Sequence, residues 1–145
     1  MLQRPEPKNR RTDHMELSVK WRRPLLGGAA IMLLAVAACG DDVTPKALSR
    51  ELKKKNRPVV VDVRSSFEYQ AGHVPGAIHI PFWSVPFKRG MLPKEHDGLV
   101  VYCEHGPRAV LARSLFLMLG VRPVAYLKGH MSAWRQAGLP MEKGQ

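Results

Sequence analysis

The sequence predicts an α/β domain with a mainly parallel sheet and helices on both faces. Three observations lead there. Four short apolar runs alternate with stretches carrying helix start and stop signals, and the alternation persists from Thr44 to Pro140. The first run, Val59-Val60-Val61-Asp62-Val63, is β-branched and has no period-two polarity, the pattern of a strand buried on both sides. The chain has 145 residues, 45% of them hydrophobic and 24% charged, which suits one such domain and a short appendage.

Each element has its own local cause. Thr44 caps a helix whose first position is Pro45; Leu48 and Leu52 share one face, and Lys53-Lys54-Lys55 with Arg57 forms a solvated end before Pro58. After the Val59–Val63 strand, Ser65 and Glu68 have capping-box spacing and open a short helix that Gly72 ends. Val74-Pro75-Gly76 turns the chain into a second strand, Ala77-Ile78-His79-Ile80, which Pro81 stops. An irregular aromatic stretch follows, with Phe82, Trp83 and Phe87 either lining a pocket mouth or simply packing. Leu99–Tyr102 is the third strand, and Ala109–Leu119 is a helix ended by Gly120, whose positions Val110, Leu111, Ser114, Leu115 and Met118 are expected to pack on the sheet. Val124–Leu127 is the fourth strand, and Met131–Ala137 with Trp134 is the last helix, closed by Gly138 and Pro140.

The amino-terminal segment, residues 1–38, reads as a signal peptide. Leu25 to Cys39 has no charged residue and follows Lys20-Trp21-Arg22-Arg23. At fifteen residues it is shorter than the roughly 20 that cross a bilayer core, but it suits a secretory h-region. Val36-Ala37-Ala38-Cys39 resembles the bacterial lipobox, which implies that Cys39 is acylated and that residues 39–45 are a lipidated tether on the periplasmic side of a membrane. The competing reading is an uncleaved anchor or an ordinary signal peptide, and both also export the domain. Met15 opens a compact n-region and is a candidate true start. Arg22-Arg23 bears a slight resemblance to a twin-arginine signal, so the export route stays open. Gly40, not aspartate, follows Cys39, and the sequence does not decide between inner and outer membrane.

The net charge of +11 does not imply nucleic acid. Seven basic and three acidic residues lie in residues 1–38, leaving +7 for the rest, with no recognition motif around it. His73, His79 and His130 lack metal-ligand spacing and read as structural hydrogen-bonding residues, so no metal is expected.

The chemistry concentrates at Cys103. With Cys39 acylated, it has no cysteine partner for an internal disulfide. It follows the third strand and precedes a helix, at the carboxyl edge where open α/β sheets place ligands. In the loop Cys103-Glu104-His105-Gly106-Pro107-Arg108-Ala109, Gly106 permits turns that let N–H groups converge on one anion. The helix near Ala109 adds its positive end and Arg108 a full charge. Such a cradle suits a thiolate, or the outer sulfur of a persulfide. Two residues work against it: Pro107 lacks an N–H, and the Glu104 carboxylate opposes an anion unless it points to solvent. His105, next along the loop, is placed to offset that charge.

The pattern Cys103-x-x-Gly106-x-Arg108-Ala109 resembles the active-site loop of the rhodanese family. Asp62-Val63-Arg64, Glu68, Gly72-His73-Val74-Pro75-Gly76-Ala77, Leu127-Lys128-Gly129-His130, Trp134 and Gly138-Leu139-Pro140 are similar to other rhodanese segments, in the same order, over about residues 45–140. The resemblance implies a rhodanese-like three-layer domain over residues 46–142. It also implies a sulfurtransferase that takes sulfane sulfur from a donor such as thiosulfate, holds it as a persulfide on Cys103 and passes it to a thiol or cyanide, without metal or organic cofactor. On that reading Glu104 makes thiosulfate a poor donor, with His105 offsetting its charge or facing the acceptor. Related phosphatases have one more residue between cysteine and arginine. With four here, the loop is sized for sulfur and no phosphatase activity is expected. Asp62 and Arg64 either support catalysis or tie the first strand to its neighbouring loops. Two other functions stay in view: a catalytically weak binding or persulfide-carrier module at the membrane surface, and a redox-sensing thiol, against which the absence of a resolving cysteine counts. The oligomeric state is left open.

Overall fold

The computed structural model describes residues 42–96 and 98–144, so residues 1–38 and Cys39 lie outside the described part. Four parallel strands form one sheet: β1 (Val59–Asp62), β2 (Ile78–His79), β3 (Leu99–Tyr102) and β4 (Val124–Tyr126), in the order β2-β1-β3-β4. Among the described residues, five α-helices connect and flank them: α1 (Pro45–Glu51), α2 (Ser66–Ala71), α3 (Val85–Lys88), α4 (Pro107–Met118) and α5 (His130–Gln136). The expected α/β class, with a parallel sheet covered on both faces, is what the chain adopts.

The central strands explain the apolar runs. Successive residues of a strand point to opposite faces. Val61, Leu99 and Val101 therefore enter a core with Ala109, Ala112 and Phe116 of α4, while Val60, Val100 and Tyr102 enter a second core with Leu48 of α1 and Met131 and Trp134 of α5. With both faces covered there is no place for polar alternation.

Local signals act as expected at most boundaries. Thr44 Oγ1 accepts from the Ala47 N–H, and Ser65 and Glu68 form the reciprocal capping box at the start of α2. The irregular aromatic stretch contains a 3-10 turn at Phe82–Ser84, α3, and another 3-10 turn at Arg89–Met91.

The face assigned to α4 needs correction. Val110, Leu111, Ser114 and Met118 are exposed, with Met118 at 83%; Leu115 is only half-buried. The buried face is Ala109, Ala112, Arg113 and Phe116. Two alanines let the helix approach the sheet closely, and Arg113 is covered by lying 4.4 Å from the Tyr126 ring centroid. Apolar residues on every side of α4 made its periodicity ambiguous.

Registry fixes the site. Val61 pairs with Val101 and Asp62 with Tyr102, and the Val63 N–H donates to the Tyr102 carbonyl at 3.0 Å. The segments leaving β1 and β3 at their carboxyl ends, Val63-Arg64 and Cys103-Glu104, are therefore neighbours. Val43 adds a parallel bridge to Leu127 beside β4, bringing the start of the described chain to this same edge.

Candidate active site

Cys103 leaves β3 with its side chain turned into the α4-side core, and the residue is 1% exposed. Its sulfur is not surrounded by hydrocarbon alone: the Gly106 N–H donates to Sγ at 3.0 Å. The loop is held from its far side by α5. The Met131 N–H donates to the Cys103 carbonyl at 3.0 Å and the Ser132 N–H to the Glu104 carbonyl at 3.3 Å. Those two contacts anchor the first residues of the loop to α5. Gly106 then adopts φ +128°, a conformation that side-chain-bearing residues rarely take, and its carbonyl accepts from the Ala109 and Val110 N–H groups to start α4.

The helix starts two residues before the expected Ala109. Pro107 is its first residue, where an N–H has no intrahelical partner in any case, so the proline removes little and sets φ for the helix. No side chain caps this end, which leaves the positive end of a twelve-residue helix beside the sulfur. His105 and Pro107 are exposed at the loop tip, and Ala109 is buried beneath it.

The side-chain charges stand differently from expectation. The Arg108 guanidinium is gripped by Glu68 of α2, with Nη1 to Oε2 at 2.6 Å and Nη2 to Oε1 at 2.7 Å. Its charge is thus largely answered by a carboxylate instead of standing free in the cradle. The same contact, against a smaller opposing effect of burial and with help from Ser65, holds the Glu68 carboxyl at about 2 instead of the ordinary 4.5. Glu104 points neither at open solvent nor to an unanswered position: one oxygen accepts from Arg64 Nη1 at 3.2 Å and the other from Arg135 of α5. The repulsion expected of Glu104 is therefore offset by two guanidinium groups.

Arg64 and Asp62 form a buried pair beneath the loop, 1% and 0% exposed. Arg64 Nη2 donates to Asp62 Oδ2 at 2.7 Å and to the Gly72 carbonyl at 2.7 Å, and the Arg64 N–H donates to Asp62 Oδ1 at 2.9 Å. The pair ties β1, the end of α2 and the Cys103 loop together, the tying arrangement of the two read from the sequence.

This frame carries a buried sulfur that accepts one backbone N–H, from Gly106, with four residues between Cys103 and Arg108. The family model for the rhodanese-like domain matches residues 44–137. The chain is a member of the rhodanese-like domain family. Among rhodanese-like relatives, a sulfurtransferase of Allochromatium vinosum is 30% identical over 101 residues, spanning 70% of this chain and 94% of that protein. A tRNA uridine(34) hydroxylase of Chlamydia caviae is 33% identical over 129 residues, 83% of this chain but only 38% of that longer protein. The solved structure of a rhodanese-related protein from Thermoplasma volcanium superposes with a TM-score of 0.62 at 25% identity, covering 72% of this chain and 99% of that one.

Within the rhodanese-like frame, the site contacts of three residues escaped the sequence reading. Glu68 is legible as a cap and as part of the family resemblance, but its bidentate contact with Arg108 is not. Arg135 was unremarkable among the basic residues. His130 was read as structural, yet its ring stands against the Cys103 loop. His73 and His79 do have the structural partners expected of them: His73 Nδ1 lies 2.9 Å from the Tyr69 carbonyl and His79 Nε2 lies 2.9 Å from the Arg64 carbonyl.

Proposed function

We propose that the chain is a thiosulfate-type sulfurtransferase that carries sulfane sulfur on Cys103. The observation that carries this reading is the Gly106 N–H directed at Sγ beside the uncapped amino end of α4. In the first half-reaction the Cys103 thiolate attacks the outer sulfur of thiosulfate. An S–S bond forms to Cys103, the S–S bond of thiosulfate breaks, and sulfite leaves with the electron pair. The charge then resides on the outer sulfur of the persulfide, where backbone dipoles can stabilise it. In the second half-reaction cyanide or a thiolate attacks that sulfur, and Cys103 departs as the thiolate. Neither half needs a metal or an organic cofactor for atoms and electrons to balance.

The sulfurtransferase relative, matched over 94% of its length, supports this reading more than the hydroxylase, matched over 38%. Balanced charge at Glu104 supports use of thiosulfate despite its double negative charge. The proposal includes export and acylation at Cys39, on the apolar run and lipobox described above. Four residues span at most about 14 Å, so a lipid on Cys39 would hold the edge bearing Val43 and the Cys103 loop near a bilayer surface.

Intact mass spectrometry of the full chain tests the chemistry. Incubation with thiosulfate should add about 32 Da, one sulfur atom, mapping to Cys103 and absent in Cys103→Ser. No adduct from thiosulfate or any other sulfane donor would overturn the reading. The membrane-extracted protein should also carry lipid mass on Cys39, and a free thiol there would remove the anchor from the proposal.

A further inference from the structure

His130 is the sole non-glycine residue with positive φ among the described residues, at +56°. A histidine in left-handed backbone conformation is strained relative to glycine, and such strain persists where surrounding structure demands it. The conformation follows Gly129, itself at φ +71° and packed so closely on Ala133 that a Cβ would come within 2.6 Å of it. It places the imidazole between the end of β4 and the sulfur loop. On one side the ring meets Tyr126 edge-on, with centroids 5.9 Å apart. On the other, Nδ1 lies 3.4 Å from the Cys103 nitrogen and accepts its N–H. Nε2 sits against Gly106, 3.2 Å from where a Cβ would stand, so this ring closes the space beside the one residue whose amide reaches Sγ.

From this geometry we infer that His130 is a positioning residue for sulfur transfer: as a neutral imidazole in the Nε2–H tautomer, it holds the Cys103 amide through Nδ1 and buttresses Gly106. The inference rests on the proposed sulfurtransferase reading of Cys103, and it concerns how the nucleophile is held, not which donor it meets. The tautomer follows from the contact, because a nitrogen that accepts the Cys103 N–H cannot carry a proton. Burial pushes the imidazole below the ordinary histidine value, which favours the neutral form; nearby Asp42 opposes this and His105 adds to it. The Arg113 guanidinium also lies over Tyr126, 4.4 Å from the centroid of the ring that His130 meets. Without His130, the Cys103 N–H loses its acceptor and Gly106 its neighbour, and the Gly106 amide is no longer held on Sγ.

Three measurements on the full chain test this. His130→Gly accepts the positive φ, so it should fold, yet its saturating rate of persulfide formation with thiosulfate should fall about tenfold while KM changes less than about twofold. His130→Asn tolerates the same conformation and offers a carbonyl acceptor, and it should recover several-fold of that loss. Nitrogen-15 correlation spectra of the wild type should show Nδ1 unprotonated and Nε2 protonated. Wild-type rates in His130→Gly, equal losses in both variants, or an Nδ1–H tautomer would overturn the inference. If the wild type forms no persulfide at all, the sulfurtransferase reading fails by itself. The inference is then decided by the tautomer and by the rate at which iodoacetamide alkylates Cys103, mapped by mass, which should change several-fold in His130→Gly and return toward wild type in His130→Asn.

Discussion

Two arginine–carboxylate systems flank the sulfur loop, and they are built differently. Beneath it, Arg64 and Asp62 are sealed from solvent, and the Arg64 guanidinium donates to Asp62, the Gly72 carbonyl and Glu104. Beside it, Arg108 and Glu68 have side chains about 30% and 28% exposed and form one bidentate pair between α4 and α2. A buried pair cannot let go without leaving a charge stranded in low dielectric, whereas a half-exposed pair can exchange its partner for water at small penalty. The contrast separates fixing from tuning. The Arg64 system sets where the loop leaves the sheet, and the Arg108 system adjusts the charge at its helical end. Both guanidinium groups are answered by carboxylates, and the hydrogen bond that reaches the sulfur comes from the backbone, from the Gly106 N–H.

The buried system should show the largest effects. Asp62→Ala leaves Arg64 with one carboxylate, Glu104 of the sulfur loop, and is expected to destabilise the domain by about 3–5 kcal/mol in urea unfolding. A loss below about 1 kcal/mol would erase the distinction between the two systems. Glu104→Gln is next. It keeps the shape of the loop but unmasks charge on Arg64 and Arg135, so stability should drop by about 1–2 kcal/mol. The KM for thiosulfate should fall several-fold, because the mouth gains positive potential. An unchanged KM would mean that Glu104 is electrically remote from the donor.

The legibility of these features in the sequence follows how local their causes are. Strands β1 and β3 could be read because burial on two faces leaves an uninterrupted apolar run, and α2 because Ser65 and Glu68 lie three residues apart. The position of Cys103 could be read because strand, glycine, arginine and helix follow one another in the chain. The destinations of Arg108 and Glu104 could not, since their partners are 31 to 40 residues away and are chosen by the packing of α2 and α5. The face of α4 failed for a related reason. Its apolar residues surround the helix, and the choice of Ala109, Ala112 and Phe116 over Leu111 and Met118 is made by closeness to the sheet rather than by hydrophobicity. His130 hid in a segment where its backbone conformation carries the information and its residue type does not.

The half-exposed system should give smaller effects that depend on pH. With its carboxyl held at about 2 in the folded chain and near 4.5 when free, Glu68 contributes stability that is fully present above pH ~4.5 and lost as pH falls toward 2. Glu68→Gln should therefore lose about 1–2 kcal/mol at pH 7, and the gap from wild type should close between about pH 4.5 and 2. A gap that stays constant over that range would assign the loss to the amide's shape instead of to charge. Ser65→Ala removes a single cap hydroxyl, which donates to Glu68 Oε2 at 2.6 Å and accepts the Glu68 N–H at 3.4 Å. It should cost about 1 kcal/mol and leave the Arg108 contact in place. If Ser65→Ala equals or exceeds Glu68→Gln at neutral pH, the ion pair adds little beyond the helix cap, and the tuning role given to Arg108 passes to the capping box.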